Sequence, residues 1–171
     1  MAHTDFPATW ERKIYVITAV FTLFMVGLPV FVIGMGSYLH QIAPVIIGML
    51  LLGIFAFGVS QAPRGYRLSA DALRIKRVGT DVVIPLPEIA RISLAEGKDV
   101  FRNAGRMSSS GGAFGIYGRF LGGFFPEFIV YATHTGRMVV IQRTHAIPII
   151  ISPDDAEGFV ERCKALGVTV E

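Results

Sequence analysis

The first third of the chain is almost continuously apolar. No charged residue lies between Lys13 and Arg64, and this interval contains two apolar runs, 14–39 and 42–60, separated by a polar His-Gln pair. At a rise of about 1.5 Å per residue, helices of these lengths reach roughly 39 Å and 28 Å, against a hydrocarbon core of about 30 Å. The pattern predicts a two-helix transmembrane hairpin over residues 14–61.

Two other interpretations of these runs are less favourable. The apolar core of a cleaved signal peptide covers about 7–15 residues, whereas the first run is longer and a second run follows at once. Two buried helices of a soluble protein would need more residues around them than the 110 that follow residue 61. An uncleaved hairpin therefore explains the pattern best.

Proline and glycine residues within the two apolar runs indicate where a helix begins, bends or contacts its neighbour closely. Pro44 lies near the start of the second helix, where a missing N–H costs least. Small residues in membrane helices allow close helix contact, and proline favours a bend. The first helix contains four residues of these kinds, Gly27, Pro29, Gly34 and Gly36.

The pattern changes after the segment QAPRGY, which marks the boundary between the hairpin and a second unit at 65–171. Apolar and polar residues then alternate with the period of two that is typical of strands, as in ALRIKR and RISLAE. The stretch FIVYATHTGRMVVIQR predicts a hairpin around HTGR, and VVIPL and AIPIIIS predict further apolar strands. We expect a meander of roughly seven strands.

A single amphipathic helix is predicted after the last strand. Ser152, followed by Pro153 and Asp155, has the residue types that begin a helix, with Ser152 as the expected N-cap. Gly167 is placed to end it. Cys163 is interpreted as a small buried apolar residue on the inner face of the helix rather than as a reactive thiol. The predicted inner face consists of Phe159, Cys163 and Leu166.

Several of these segments carry a resemblance to a known family. The segments are YRLSADALRIKR, IPLPEIARIS, GGAFGIYGRF and ISPDDAEGFVERCKALG, which together cover about residues 66–167. The chain resembles the bacterial pleckstrin homology (PH-like) domain family, in particular membrane-anchored members with an N-terminal two-helix hairpin. The resemblance implies an α+β fold with a seven-stranded antiparallel barrel or sandwich, capped by one C-terminal helix. It implies binding rather than one chemistry.

The distribution of basic residues predicts the orientation. Arg12 and Lys13 precede the first helix, Arg64 and Arg67 follow the second, and the connecting loop has no lysine or arginine. The positive-inside rule then places both ends, the tail at 1–13 and the domain at 65–171, on the cytoplasmic side of the inner membrane. The domain carries thirteen basic and eleven acidic residues, and this mild excess argues against a nucleic-acid partner.

The residues that could carry chemistry do not form a recognisable site. Neither GxxxxGK followed by Ser or Thr nor GxGxxG is present, so we expect no nucleotide and no cofactor. The histidines at positions 3, 40, 134 and 145 lack metal-ligand spacing, and Ser108–Ser110 have no nearby base. Asp154 and Asp155 suit helix capping better than acid and base chemistry. We therefore predict no catalytic residue, no metal site and no enzymatic activity.

The segment SSSGGAFGIYGRFLGGFF, residues 108–125, allows two interpretations. Its glycines permit tight bends and close backbone approach, so its aromatic side chains could fill the barrel core. The same side chains could instead form an exposed surface that meets the bilayer or a partner protein. The candidate interface residues are Phe114, Tyr117, Phe120, Phe124 and Phe125.

Contact with anionic lipid is a further expectation. Members of the wider superfamily that bind phosphoinositides hold the phosphates with basic residues on the first two strands. Arg67, Arg74 and Lys76 lie in roughly those places, but the connecting SADA is short and carries Asp71, so the pattern is met only in part. Weak attraction of about 1 kcal/mol per basic residue near the membrane remains. The candidate lipid contacts are Arg64, Arg67, Arg106 and Arg119.

The functional expectation is a noncatalytic module that binds protein partners or copies of itself at the cytoplasmic membrane surface. One alternative is an accessory subunit of a larger membrane transporter or enzyme complex. Another is a weak sensor of anionic lipid. The expected partners are therefore membrane lipid, a second copy of the chain in a homo-oligomer, or a larger membrane protein.

Overall fold

A helical hairpin and a β-domain make up the computed structural model, which describes residues 3–111 and 113–171, with the side chains of 106–111 outside that description. The hairpin helices are α1 (Arg12–Tyr38) and α2 (Ile42–Ser60). The strands are β1 (His3–Pro7), β2 (Pro63–Ser69), β3 (Ala72–Arg77), β4 (Val82–Pro85), β5 (Ile89–Glu96), β6 (Gly105–Gly111), β7 (Ile116–Leu121), β8 (Glu127–Ala132), β9 (Arg137–Arg143) and β10 (Ile149–Ile151). The other helices are a short α3 (Gly97–Val100) and the C-terminal α4 (Ala156–Ala165), together with a 3-10 turn at Leu86–Glu88.

Both hairpin helices are long and apolar enough to cross a membrane. Only 11% of the most apolar stretch of α1 and 6% of that of α2 are buried in the protein. A core helix of a soluble protein would be mostly covered, so the exposed apolar surface supports membrane association. The predicted hairpin is confirmed as two helices of this kind.

Close packing between the helices depends on two glycines. A Cβ atom at Gly48 would overlap the side chain of Ile33 and lie 2.9 Å from the carbonyl oxygen of Pro29. A Cβ atom at Gly36 would lie 2.9 Å from Cβ of Pro44. Close helix contact was expected at Gly36, and α1 continues through Pro29 as one helix.

The strands of the described chain form two sheets. The first has the order β1-β2-β3-β4 and is antiparallel, and the second has the order β5-β9-β10-β8-β7-β6, in which only β10 and β8 run parallel. The predicted α+β architecture with one C-terminal helix is confirmed. The strands number ten rather than about seven, in part because the residues treated as a tail supply β1 and the glycine-serine stretch supplies β6.

One predicted pairing is wrong. β8 and β9 follow each other around HTGR but do not pair, because β10 lies between them, parallel to β8 and antiparallel to β9. All three residues of β10 are buried, which is expected of a central strand covered on both faces. The apolar β10 is buried by lying in the centre of the sheet, and β8 and β9 therefore pair with it instead of forming the local hairpin that the sequence pattern favours.

The six-stranded sheet has an apolar core on each of its faces. The first lies between the two sheets and α4 and includes Tyr66, Ile75, Ile141 and Phe159. The second covers the other face beside α3 and includes Val100, Phe120, Phe128, Val130, Met138 and Ile150.

The N-cap of the C-terminal helix lies three residues after the predicted cap, Ser152. It is Asp155, whose Oδ1 accepts a 2.9 Å hydrogen bond from the backbone N–H of Gly158. Ser152 is buried, and its hydroxyl instead accepts the backbone N–H of Thr133 at 2.8 Å, because the chain is still extended beside β8 there. Cys163 is buried as predicted, and burial raises the pKa of its thiol to about 12.

Candidate functional site

The glycine-aromatic segment joins the domain to the hairpin at Phe114 and Tyr117. The backbone N–H of Phe114 donates a 2.8 Å hydrogen bond to the hydroxyl of Thr18, a buried residue of α1. The Phe114 ring lies within aromatic contact distance of Trp10, Phe21 and Phe55, with ring centroids 5.6 to 6.4 Å apart. Phe114 therefore packs against both helices of the hairpin.

Tyr117 makes the second direct contact. Its side chain is buried, and its hydroxyl donates a 2.7 Å hydrogen bond to the carbonyl oxygen of Gly58 in the last turn of α2. Gly115 has a φ of +119°, and a Cβ atom there would lie 2.8 Å from the carbonyl oxygen of Ala132. The chain can therefore bend between Phe114 and Tyr117 only with glycine at this position.

Backbone hydrogen bonds hold the start of α1 and the end of α2 against the domain. At the start of α1 the N–H of Glu11 donates to the carbonyl oxygen of Thr133 at 3.2 Å. At the end of α2 the N–H of Gly79, in the turn between β3 and β4, donates to the carbonyl oxygen of Ser60 at 2.8 Å. The domain is therefore docked on the hairpin and is not tethered by one flexible linker.

The middle of the segment belongs to the second core. The Phe120 side chain is only 3% exposed and stacks on Phe128, with ring centroids 5.6 Å apart and planes 14° apart. The ring of Phe101 packs edge-on against the Phe120 ring, with centroids 5.5 Å apart. Phe125 is half-buried against this cluster. Phe120 is thus a core residue and offers no contact surface, and Phe125 offers little.

The end of the segment is exposed. Leu121, the last residue of β7, and Phe124, in the turn that follows, are 42% and 46% exposed, and we call residues 121–125 the 121–125 turn. Gly122 and Gly123 have φ values of +77° and +78°, and a Cβ atom at Gly123 would lie 2.7 Å from the carbonyl oxygen of Arg102. This backbone therefore requires glycine and holds Phe124 on the surface.

The position of the 121–125 turn follows from strand pairing. Ile116 pairs with Ala132 at the end of the sheet that meets the hairpin, and Leu121 pairs with Glu127 at the other end. At about 3.3 Å per residue, Leu121 lies roughly 13 Å along β7 from Tyr117. Of the five candidate interface residues, Phe124 alone is exposed, and it lies at the end of β7 opposite the hairpin.

The candidate lipid-contacting arginines are placed differently from one another. Arg67 donates to both carboxylate oxygens of Asp5, at 2.8 and 3.0 Å, and Arg119 pairs with Glu127 at 3.1 Å. Arg64 is exposed at the start of β2 and makes no ion pair with the described side chains. The side chain of Arg106 lies outside the described residues.

Two features of the domain were not found from the sequence. Asp5 on β1 also accepts from Lys76 at 3.0 Å, and these basic partners hold the pKa of Asp5 far below its usual range. Tyr66 is buried between the sheets, where its hydroxyl donates to the carbonyl oxygen of Tyr131 at 2.6 Å and accepts the N–H of Ser152 at 3.1 Å. Burial raises the pKa of Tyr66 to about 12. The weak strand pattern of HTDFP was the only available signal for β1.

The histidines fall at separate places. His3 lies on β1, His40 adopts a φ of 52° between the helices, and His134 accepts the N–H of Gly136 in the turn after β8. Within the part of the chain that the structure describes, no group of three or more His, Cys, Asp or Glu side chains could hold a metal ion.

The comparison with protein families identifies the β-domain. A family model described as bacterial PH domain matches residues 64–166, from the start of β2 to the end of α4. No match was found among curated proteins or among solved structures. The matched range is more than half of the chain and includes the docking residue Tyr117, the core residue Phe120 and the 121–125 turn.

Proposed function

The chain belongs to the bacterial PH domain family, and from this we propose that it is a noncatalytic, membrane-anchored module that binds a protein at the cytoplasmic surface of the membrane. Domains of this family serve in general as interaction modules. The hairpin supplies the anchor, since both of its helices are long and apolar enough to span a bilayer. The cytoplasmic orientation is supported by Arg12, Lys13 and Arg64 at the helix ends that adjoin the domain.

The observation that carries this proposal is the exposed Phe124 at the end of β7 opposite the hairpin. The Phe114 and Tyr117 contacts dock the domain on the hairpin and so set the position of this turn relative to the anchor. A rigid exposed aromatic side chain loses little conformational entropy on binding, and aromatic residues are enriched at protein interfaces. The turn therefore suits contact with a protein better than insertion into the bilayer.

A site-specific photo-crosslinker tests the contact in cell membranes. A photoreactive phenylalanine analogue is placed at position 124 in the full-length protein, and matched protein carries it at position 83. Val83 is the control because it is 47% exposed, close to the 46% of Phe124, but lies on β4. We expect a discrete protein adduct from position 124 and none from position 83.

The mass of the adduct distinguishes the two kinds of partner. An adduct of twice the chain mass indicates self-assembly, and native mass spectrometry of the full-length protein should then show an oligomer that Phe124→Ser reduces and Val83→Ser retains. A larger or smaller adduct indicates a different protein. Equal labelling from positions 124 and 83, or lipid adducts alone, would contradict a protein contact at this turn.

A second candidate function is that of an accessory subunit held by its hairpin in a larger membrane protein. Gly27 and Gly34 are exposed on α1, and a Cβ atom at either position would meet nothing within 4 Å. Residues seven apart lie on nearly the same face of a helix, and small residues allow a neighbouring membrane helix to approach closely. This open face of α1 favours packing against a further helix.

Copurification tests this second candidate. We expect a variant with both Gly27→Leu and Gly34→Leu to lose a larger integral membrane protein that copurifies with the wild type in mild detergent. Val30→Leu is the control, because Val30 is exposed on the same helix and already carries a branched apolar side chain. Retention of the larger protein by the double variant would count against this candidate.

A further inference from the structure

A crevice runs along the boundary between the hairpin and the domain. It has a volume of about 520 Å³. One wall comes from the ends of α1 and α2 nearest the domain, and the other from β7 and β8. The lining residues that carry the argument are Phe21, Met25, Ile54, Phe57, Gln61 and Tyr131.

The hairpin wall of the crevice is apolar and accessible from the side. Ile54 and Phe57 are 69% and 68% exposed, and Phe21 is 38% exposed. These residues belong to helices that are long and apolar enough to lie in the bilayer, where such side chains contact acyl chains. The crevice therefore begins on a surface that lipid tails cover.

The domain end of the crevice is polar and has a basic side chain beside it. Arg77 contacts two lining residues: its Nη1 donates to Oε1 of Gln61, and its guanidinium carbon lies 5.9 Å from the centre of the Tyr131 ring. Its Nε donates to the carbonyl oxygen of Thr80 at 2.6 Å. These bonds position the half-buried guanidinium but leave part of its five-donor set for another acceptor.

The charge of Arg77 has no acidic partner within the described side chains. Oδ1 of Asp81 accepts the backbone N–H of Arg77 at 3.3 Å, but Asp81 forms no ion pair with the guanidinium. Arg67 and Arg119, in contrast, are each neutralised by a carboxylate. A half-buried arginine without a carboxylate is suited to a phosphate, which its planar guanidinium can bind through two hydrogen bonds.

We propose that this crevice binds one anionic phospholipid from the leaflet that faces the domain. An acyl chain lies along the apolar wall of Phe21, Ile54 and Phe57, and the phosphate lies at the Gln61 and Tyr131 end beside Arg77. The volume argues against a partner helix, since a helix about 10 Å across would fill it with roughly one turn. The combination of an apolar wall with a cation at one end matches the chemistry of a single lipid.

The proposed lipid site is separate from the protein contact of the proposed function. Among the described side chains, its lining contains neither Phe124 nor the candidate lipid contacts Arg64, Arg67 and Arg119. Failure of the 121–125 turn to bind a protein would therefore leave this inference unaffected.

Lipid retention by the full-length protein tests the site. The protein is reconstituted in vesicles of equal parts phosphatidylglycerol and phosphatidylcholine, released in mild detergent and examined by native mass spectrometry. We expect the wild type to retain one phosphatidylglycerol in preference to phosphatidylcholine. Arg77→Gln should reduce this retention about tenfold, because a charge-assisted contact with the phosphate is lost.

Two further variants distinguish lipid binding in the crevice from general electrostatic attraction between the protein and anionic lipid. Arg64→Gln removes an exposed charge near the same membrane boundary and should leave retention unchanged. Met25→Trp should reduce retention because the larger side chain occupies the space beside the apolar wall, and it alters no polar group. It therefore tests the site independently if Arg77→Gln fails to fold. Equal retention of both lipids by the wild type, an equal loss in Arg64→Gln and Arg77→Gln, or undiminished retention in folded Met25→Trp would each overturn the proposal.

Discussion

The hydroxyl of Tyr117 donates a 2.7 Å hydrogen bond to the backbone carbonyl of Gly58, and this contact connects β7 of the domain to the last turn of α2. The last four carbonyl groups of a helix lack the regular helical partner. The carbonyl of Gly58 accepts the backbone N–H of the capping residue Gln61 at 3.2 Å, and the Tyr117 hydroxyl is a second donor to it that connects the domain to α2. It also forms part of the inner surface of the crevice that we assign to a lipid.

Removal of this hydroxyl should loosen the docking of the domain. Tyr117→Phe keeps the buried ring and loses one hydrogen bond, whose net contribution is about 1 kcal/mol, equivalent to roughly a fivefold change in an opening equilibrium. We expect amide hydrogen exchange at the end of α2 to rise by about that factor in the full-length protein. Tyr38→Phe is the control, since Tyr38 is 81% exposed at the far end of α1. Unchanged exchange in Tyr117→Phe would show that the bond does not hold the domain.

Tyr66 should contribute more to the stability of the domain itself. Tyr66→Phe leaves the carbonyl of Tyr131 and the buried N–H of Ser152 without this partner, at a cost of about 1–3 kcal/mol. We expect the thermal unfolding midpoint of the full-length protein to fall by at least about 2 °C. The exposed Tyr15 provides the matched Tyr15→Phe control, which should unfold like the wild type. Equal midpoints for the two variants would refute the structural role of Tyr66.

The attachment of β1 should depend on pH. The pKa of Asp5 is lowered by Arg67 and Lys76, so its ionised form stabilises the folded state above the unfolded pKa of about 4, and this contribution is lost progressively as the pH falls below that value. We expect hydrogen exchange of the β1 amides to increase over that acidic range in the wild type. Asp5→Asn should show the increase already at neutral pH.

Asp71 provides the comparison for this measurement. It is exposed in the turn between β2 and β3 and pairs with no basic side chain among those described, so Asp71→Asn should leave the exchange of β1 unchanged. A pH response in Asp5→Asn as large as that of the wild type would mean that a different group controls β1.

The hairpin should tolerate a larger side chain at one glycine of α2 and not at another. Gly48→Val would place its side chain against Ile33 and the carbonyl of Pro29, so the helices must separate or distort. Gly53→Val meets nothing within 4 Å on the same helix. We expect only Gly48→Val to lower the thermal stability of the hairpin in detergent, followed by helical circular dichroism. Equal stability of the two variants would exclude close packing at Gly48.

The sequence by itself determined the features that depend on local patterns. The absence of charge from 14 to 63 indicated two helices long and apolar enough to cross a membrane, because a segment that enters a bilayer must be apolar over such a length. Alternation of apolar and polar residues indicated most strands, and the spacing of Phe159 and Cys163 indicated the buried face of α4. The resemblance to PH-like domains rested on the same segments and was confirmed by the family match.

Tertiary structure alone decided which way the aromatic residues of 113–125 face. Strand alternation would place side chains on opposite faces in turn, but Phe114, Gly115, Gly118, Gly122 and Gly123 all have positive φ values and interrupt it. One segment therefore supplies a hairpin contact, a core residue and an exposed turn. Neither of the two interpretations of this segment from its sequence was complete.

Long-range pairing was likewise beyond the sequence pattern. Asp5 meets Arg67 across 62 positions, β10 enters between two strands that are adjacent along the chain, and Arg77 reaches the crevice through Gln61 of the hairpin. Local propensity contains no information on such partners, because the energy of each contact exists only once distant segments have come together. The sequence thus determined the apolar helices and the kind of domain, and the packing of one against the other created the crevice between them.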